Sequence, residues 1–164
     1  MKQIKPRQRL ARPAQSGASA IEFALIFPIM LAIVYGGLVY SYVFFLQQSV
    51  NFAAQQGVQA AVSVAPTANA AADVTARTNL ADTVAKNSLS WLPGDQFGRV
   101  STSAPANGCP GGTTPAANTF SYMVNFTLGG AGGALFPSLV SLPMGLGTVP
   151  PLPATLTACA VAFT

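Results

Sequence analysis

The feature that constrains this chain most is the run from Phe23 to Leu46, 24 residues whose only strongly polar side chain is Ser41. In a helix, at about 1.5 Å per residue, such a run reaches about 36 Å, enough to cross a hydrocarbon core of about 30 Å. It predicts a membrane span. An ordinary secretory signal has a shorter apolar region closed by a small-x-small site, whereas this run is longer and ends in Val43-Phe44-Phe45-Leu46-Gln47-Gln48. Only 7% of the residues are charged, well below the roughly 25% of a soluble domain. Subtracting the span and what precedes it leaves about 100 residues, one small domain.

Charge is distributed unevenly. Lys2, Lys5, Arg7, Arg9 and Arg12 all precede the run, while from Ala18 onward Arg77, Lys86 and Arg99 face Glu22, Asp73, Asp82 and Asp95. The formal net charge of +4 therefore belongs to the N-terminal segment. Three scattered cations cannot neutralise a phosphate backbone, so no nucleic-acid partner is expected. The same asymmetry places the N-terminus in the cytoplasm and the bulk of the chain outside it by the positive-inside rule. Tyr35, Tyr40 and Tyr42 cluster in the outer half of the run.

Residues 1–17, broken by Pro6 and Pro13, read as an unstructured cytoplasmic leader. Beyond the span, Val50, Ala53/Ala54, Gly57/Val58, Ala61 and Ala65 recur every three or four residues up to Pro66. This periodicity predicts one helix over 18–65, with the span at about 23–46, Pro28 bending it near its start and an amphipathic outer third that needs a partner. A second helix is expected over 70–92, its apolar stripe being Val74, Ala81, Val84/Ala85, Leu89 and Leu92 and its stop Pro93-Gly94.

After Gly94 the period changes to two. Phe120, Tyr122, Val124, Phe126 and Leu128 alternate with polar or smaller residues, as in a half-buried strand; residues 154–163 and 99–103 add two more β-prone segments. Residues 66–164 thus read as an extracytoplasmic α+β domain, a helix packed on an antiparallel sheet of about three strands. The connection 129–153 is too long for an ordinary loop and has no assignable structure.

The residues for common catalysis are missing. The sequence has no His, which removes His-based triads, bases and metal sites, and its four carboxylates are widely separated. Gly129-Gly130-Ala131-Gly132-Gly133 lacks the Lys-Ser/Thr and the spacing of a phosphate loop and reads as a turned strand exit. The expectation is a non-enzymatic protein with no cofactor and no metal. Cys109 and Cys159, the only thiols, lie in the part placed outside the cytoplasm, where a disulfide is favoured; the alternative is Cys159 as a small core residue. Ala32/Gly36 and Gly37/Ser41 are small-xxx-small pairs that permit close helix approach in lipid, though small residues are common in such helices anyway.

The most specific motif is Ser16-Gly17-Ala18-Ser19-Ala20-Ile21-Glu22-Phe23, a basic leader ending in Gly with a single Glu at the fifth place after it. It resembles the class III leader of type IV pilins, which a prepilin peptidase cuts after that Gly. The continuation Ala20-Ile21-Glu22-Phe23-Ala24-Leu25-Ile26-Phe27-Pro28, and the stretch Gln47-Gln48-Ser49-Val50-Asn51-Phe52-Ala53-Ala54-Gln55-Gln56-Gly57, resemble the TadE-like pseudopilins of tight-adherence (Flp-type) systems. Where such proteins often carry a charged or arginine-bearing segment, this chain has Gln55-Gln56-Gly57-Val58-Gln59.

The resemblance implies a minor pilin or pseudopilin, since major pilins of such systems are usually much shorter. It implies cleavage between Gly17 and Ala18, an assembly role for Glu22, and residence in the bacterial inner membrane. The implied partners are a prepilin peptidase, other pilins or pseudopilins and an inner-membrane assembly platform, with surface adhesion and biofilm formation as the outcome. On its own, Glu22 could simply be an acid favoured at a helix N-terminus. The rival function is a single-pass anchored binding domain whose leader is never cut.

Overall fold

The structure, a computed structural model, describes residues 16–111, 118–129, 135–136, 140–141, 148–149 and 152–164. The first 15 residues of the expected leader, Gly130–Gly133 and most of the connection 129–153 lie outside the described residues. Helix α1 (Ser16–Val62) has 47 residues, about 70 Å, and runs without a break through Pro28. It ends three residues before the expected boundary. Ser63 and Val64 donate to the carbonyls of Ala60 and Ala61 at 3.1 and 3.3 Å, tightening the exit before Pro66 prevents continuation.

Burial divides α1 sharply. From Ser19 to Val34 its side chains are exposed. Full burial begins at Val39 and continues through Val43, Leu46, Val50, Ala53, Ala54, Val58 and Ala61. The three- and four-residue spacing keeps these positions on one face, and that face is the spine of the core. Domain packing therefore reaches down to Val39, inside the stretch 23–46 read as the span, because apolar residues that meet lipid and apolar residues that meet protein look the same in sequence.

Helix α2 (Ala70–Ser88) starts where Asn69 caps it, its Oδ1 accepting from the Ala71 and Ala72 N–H groups at 3.1 and 3.2 Å. Asp73 accepts from the Thr67 hydroxyl and N–H at 2.6 and 2.8 Å, which holds its carboxyl below the usual range. The packed row is Arg77, Ala81 and Ala85, continued by Leu89 and Leu92. Val74, expected in this stripe, is exposed instead, because the true row runs at four-residue steps back to Arg77. The Arg77 guanidinium points at the end of α1 and donates a long 3.5 Å bond to the Val64 carbonyl, where a cation complements the helix dipole. Alanines 53, 54, 61, 81 and 85, all fully buried, let the two helices approach closely. Contacts of 64 with 77, 57 with 81 and 45 with 91 make them antiparallel.

α2 stops at Ser88, four residues short of the expected 92. Leu89, Ser90 and Leu92 donate to carbonyls three residues back, turning the chain into Pro93, which precedes a short helix α3 (Gly94–Phe97) rather than ending a long one.

Strands β1 (Val100–Ser103), β2 (Thr119–Thr127) and, last in the chain, β5 (Thr155–Phe163) form an antiparallel sheet ordered β1-β2-β5. The register pairs Val124 with Thr102 and with Ala158. The period of two resolves into an inner face, where Phe120, Tyr122, Val124, Phe126, Leu156 and Ala158 are buried against the helices. Each large side chain among them contributes about 1.5–3 kcal/mol of burial. The fold is the α+β arrangement expected. Within the long connection, β3 (Val140–Ser141) and β4 (Thr148–Val149) make a two-stranded antiparallel ladder that the sequence did not announce.

Candidate functional site

Two regions carry the residues singled out by sequence, and the structure does not bring them together. One is the head of α1. Gly17 is exposed, and a Cβ built on it would meet nothing within 4 Å. Gly17 and Ala18 fall in the first turn of α1. The first-turn N–H groups have no intrahelical acceptor, so the bond between these residues can be unwound at small cost. Glu22, exposed, lies beyond that turn, where the helix-dipole benefit has already faded. The dipole alone is therefore a poor reason for a carboxylate at this position.

From Ile21 to Leu38 the surface of α1 is almost wholly apolar, with Ile33 70% and Leu38 65% exposed. The helix is long and apolar enough to cross a membrane, with a mean hydropathy of 2.2 over its most apolar window. Only 6% of that window is buried, whereas the core helix of a soluble domain would bury its apolar surface. Ser41 does not break the pattern, since its hydroxyl donates to the Leu38 carbonyl at 2.9 Å. Around Gly36 and Gly37 the space is open, with nothing within 4 Å of a Cβ placed there.

The second region is the domain. Cys109 and Cys159 are joined by a disulfide with a Cα–Cα distance of 5.7 Å. It lies on the outer face of the sheet, where the chain after β1 crosses back: Ser121 Oγ donates to the Pro105 carbonyl at 2.6 Å, and Gly108, at φ 82, makes the turn into Cys109. On the opposite face, the Tyr122 hydroxyl donates to Asp82 Oδ1 at 2.5 Å, and Asp82 pairs with Lys86 at 3.7 Å. Burial, then this bond, pushes the Tyr122 phenol well above its ordinary value. It is a structural clasp between α2 and β2.

The clasp depends on Gly57, which in the sequence is only one beat of a periodic stripe. A Cβ at Gly57 would sit 2.8 Å from Tyr122 Cε1, 2.9 Å from Cδ1 and 3.2 Å from the Ala81 carbonyl oxygen. An isolated Gly inside a helical pattern was the available signal. Among the described residues no group of three or more His, Cys, Asp or Glu could hold a metal ion.

These features define a protein whose single N-terminal apolar helix, compatible with single-pass membrane anchoring, continues unbroken into the core of a small α+β domain. The sequence model of the TadE-like protein family matches residues 17–59. The match starts at Gly17 and lies wholly within α1, leaving α2 and the sheet outside it. Searches of the curated proteins and of the solved structures found no match.

Proposed function

We propose that this chain is a minor pilin or pseudopilin of a tight-adherence pilus assembly system. In this reading a prepilin peptidase cuts between Gly17 and Ala18, and the protein sits in the bacterial inner membrane with its N-terminus cytoplasmic and its domain outside. It acts with other pilins or pseudopilins and an inner-membrane platform in surface attachment and biofilm formation, and performs no chemistry of its own. The observation that carries the reading is the coincidence at the head of α1: the TadE-like match begins at the very glycine that ends the basic segment, five residues before the single carboxylate of an otherwise uncharged helix. The continuity of α1 supports anchoring, because removing the span behind Leu46 would take Val39, Val43 and Leu46 out of the core that Val50, Ala53, Ala54 and Val58 continue on the same helix.

In this reading Glu22 works in assembly. Cleavage creates a positive amine on Ala18, and a carboxylate entering the bilayer needs a cation because its desolvation costs at least a few kcal/mol at mid-membrane. The amine of the same chain lies one helical turn away; the amine of a neighbouring subunit would make Glu22 an assembly determinant. Glu22→Gln keeps size and hydrogen bonding and removes the charge. Leader removal and membrane insertion should match the parent, while incorporation into the assembly, or pilus-dependent attachment, is lost. Parental attachment by the Gln variant would overturn the intersubunit role.

A further inference from the structure

Trp91 is the only tryptophan in the chain, and it is 47% exposed although its neighbour Leu92 is buried. Its ring packs on Phe45 of α1 with centroids 5.2 Å apart. Phe44 and Phe45 are themselves more than half exposed, so three large aromatic surfaces face outward at one level of the molecule.

That level can be placed along α1. Counted from Phe23, the first residue past the carboxylate, a hydrocarbon core of about 30 Å is used up near Tyr42. Phe45, and with it Trp91, then stands about 5 Å further out, within the headgroup layer. The local polarity changes in the same direction. Below Phe45 the helix surface is largely apolar; at Tyr42 the hydroxyl donates to Gln96 Oε1 of α3 at 3.0 Å; the groove between α1 and α2 that Trp91 lines also takes Gln48, Ser49 and Ser88, beside the one apolar ring of Phe52. An aromatic ring with one polar N–H, set between an apolar surface and a polar one, suits the membrane–water boundary.

We propose that Trp91 and Phe45 form an aromatic rim in the headgroup layer of the bilayer crossed by α1, with the edge of the domain packed at Val39 to Tyr42 lying just beneath it, and that this rim fixes the height and orientation of the domain on the membrane. The occupant of this surface is lipid. A second copy of the chain would not need these rings to stand at the outer end of the membrane-length apolar run of α1. The rim rests on the anchoring reading above, and the test separates the two.

The full chain is reconstituted into phosphatidylcholine vesicles, and flotation reports whether it inserts. Trp91 is the sole tryptophan emitter, so its fluorescence is read in vesicles whose lipid carries bromine at a shallow or a deep acyl position, and in the presence of aqueous iodide. Loss of most of the emission to the shallow label, less to the deep label and little to iodide, is the expected pattern. A chain that floats but whose emission is lost to iodide and spared by both bromolipids overturns the rim and leaves the anchor intact. Emission spared by all three quenchers at high protein-to-lipid ratio, and lost to iodide on dilution with lipid, would assign the surface to a second copy and also overturn the rim. Failure to float overturns the anchor and the rim together.

Discussion

Gly57→Ala should destabilise the folded domain by about 1–3 kcal/mol, the usual effect of forcing extra volume into a close-packed core. The position lies where α1 meets both α2 and β2. The added methyl would stand 2.8 Å from the Tyr122 ring and 3.2 Å from the Ala81 carbonyl oxygen, and neither can retreat easily. The ring is fully buried and tied through its hydroxyl to Asp82, and the carbonyl belongs to the backbone of α2. On helix propensity alone the same change would stabilise α1 by about 1 kcal/mol, so the sign of the result decides between propensity and packing. Pulse proteolysis of the full chain in detergent across a urea series measures it. Coupling is the sharper reading: Gly57→Ala in a Tyr122→Val background should be far milder than alone, since the shorter side chain vacates the space. A stabilised single variant would contradict the packing described.

Replacing Cys109 and Cys159 by Ser should lower stability by about 2–5 kcal/mol. The bridge spans a sequence separation of 50 residues, for which loop-closure entropy alone predicts about 4 kcal/mol. It also has a local task, holding the chain after β1 against the outer face of the sheet through Cys159 of β5, beside the bond from Ser121 of β2 to Pro105. The same proteolysis assay, run with and without reductant, tests this. Parent protein should lose resistance on reduction while the double Ser variant is unaffected by it. Equal resistance of parent and variant under oxidising conditions would show that the outer-face packing suffices without the bridge.

What the sequence made legible followed from how strongly each signal was physically over-determined. An uninterrupted apolar run and a three-to-four periodicity can only satisfy their backbones and faces as a helix, and α1 extends over nearly the whole of it. The strict alternation around Tyr122 and Val124 gave β2 and its buried face for the same reason. α2 is less legible because its packed row uses Arg77, a charged residue whose apolar stem and guanidinium serve the end of α1, while the apolar Val74 that the pattern favours is exposed. The level at which the domain meets α1 was hidden, since Val39 and Val43 look alike facing lipid or protein. Gly57 was unreadable as a contact point because its partner, Tyr122, lies far along the chain. At the head of α1 the motif itself was readable; the structure adds only that Glu22 lies past the first turn.

Removal of a leader behind Gly17 is tested most directly by the intact mass of the membrane-extracted protein. In cells with an active prepilin peptidase the chain should begin at Ala18, and in cells lacking the peptidase at Met1. Gly17 replaced by a bulky residue should give the longer species in both. A parent chain that still begins at Met1 when the peptidase is active would contradict the pilin assignment and leave an uncleaved, single-helix anchored domain in its place.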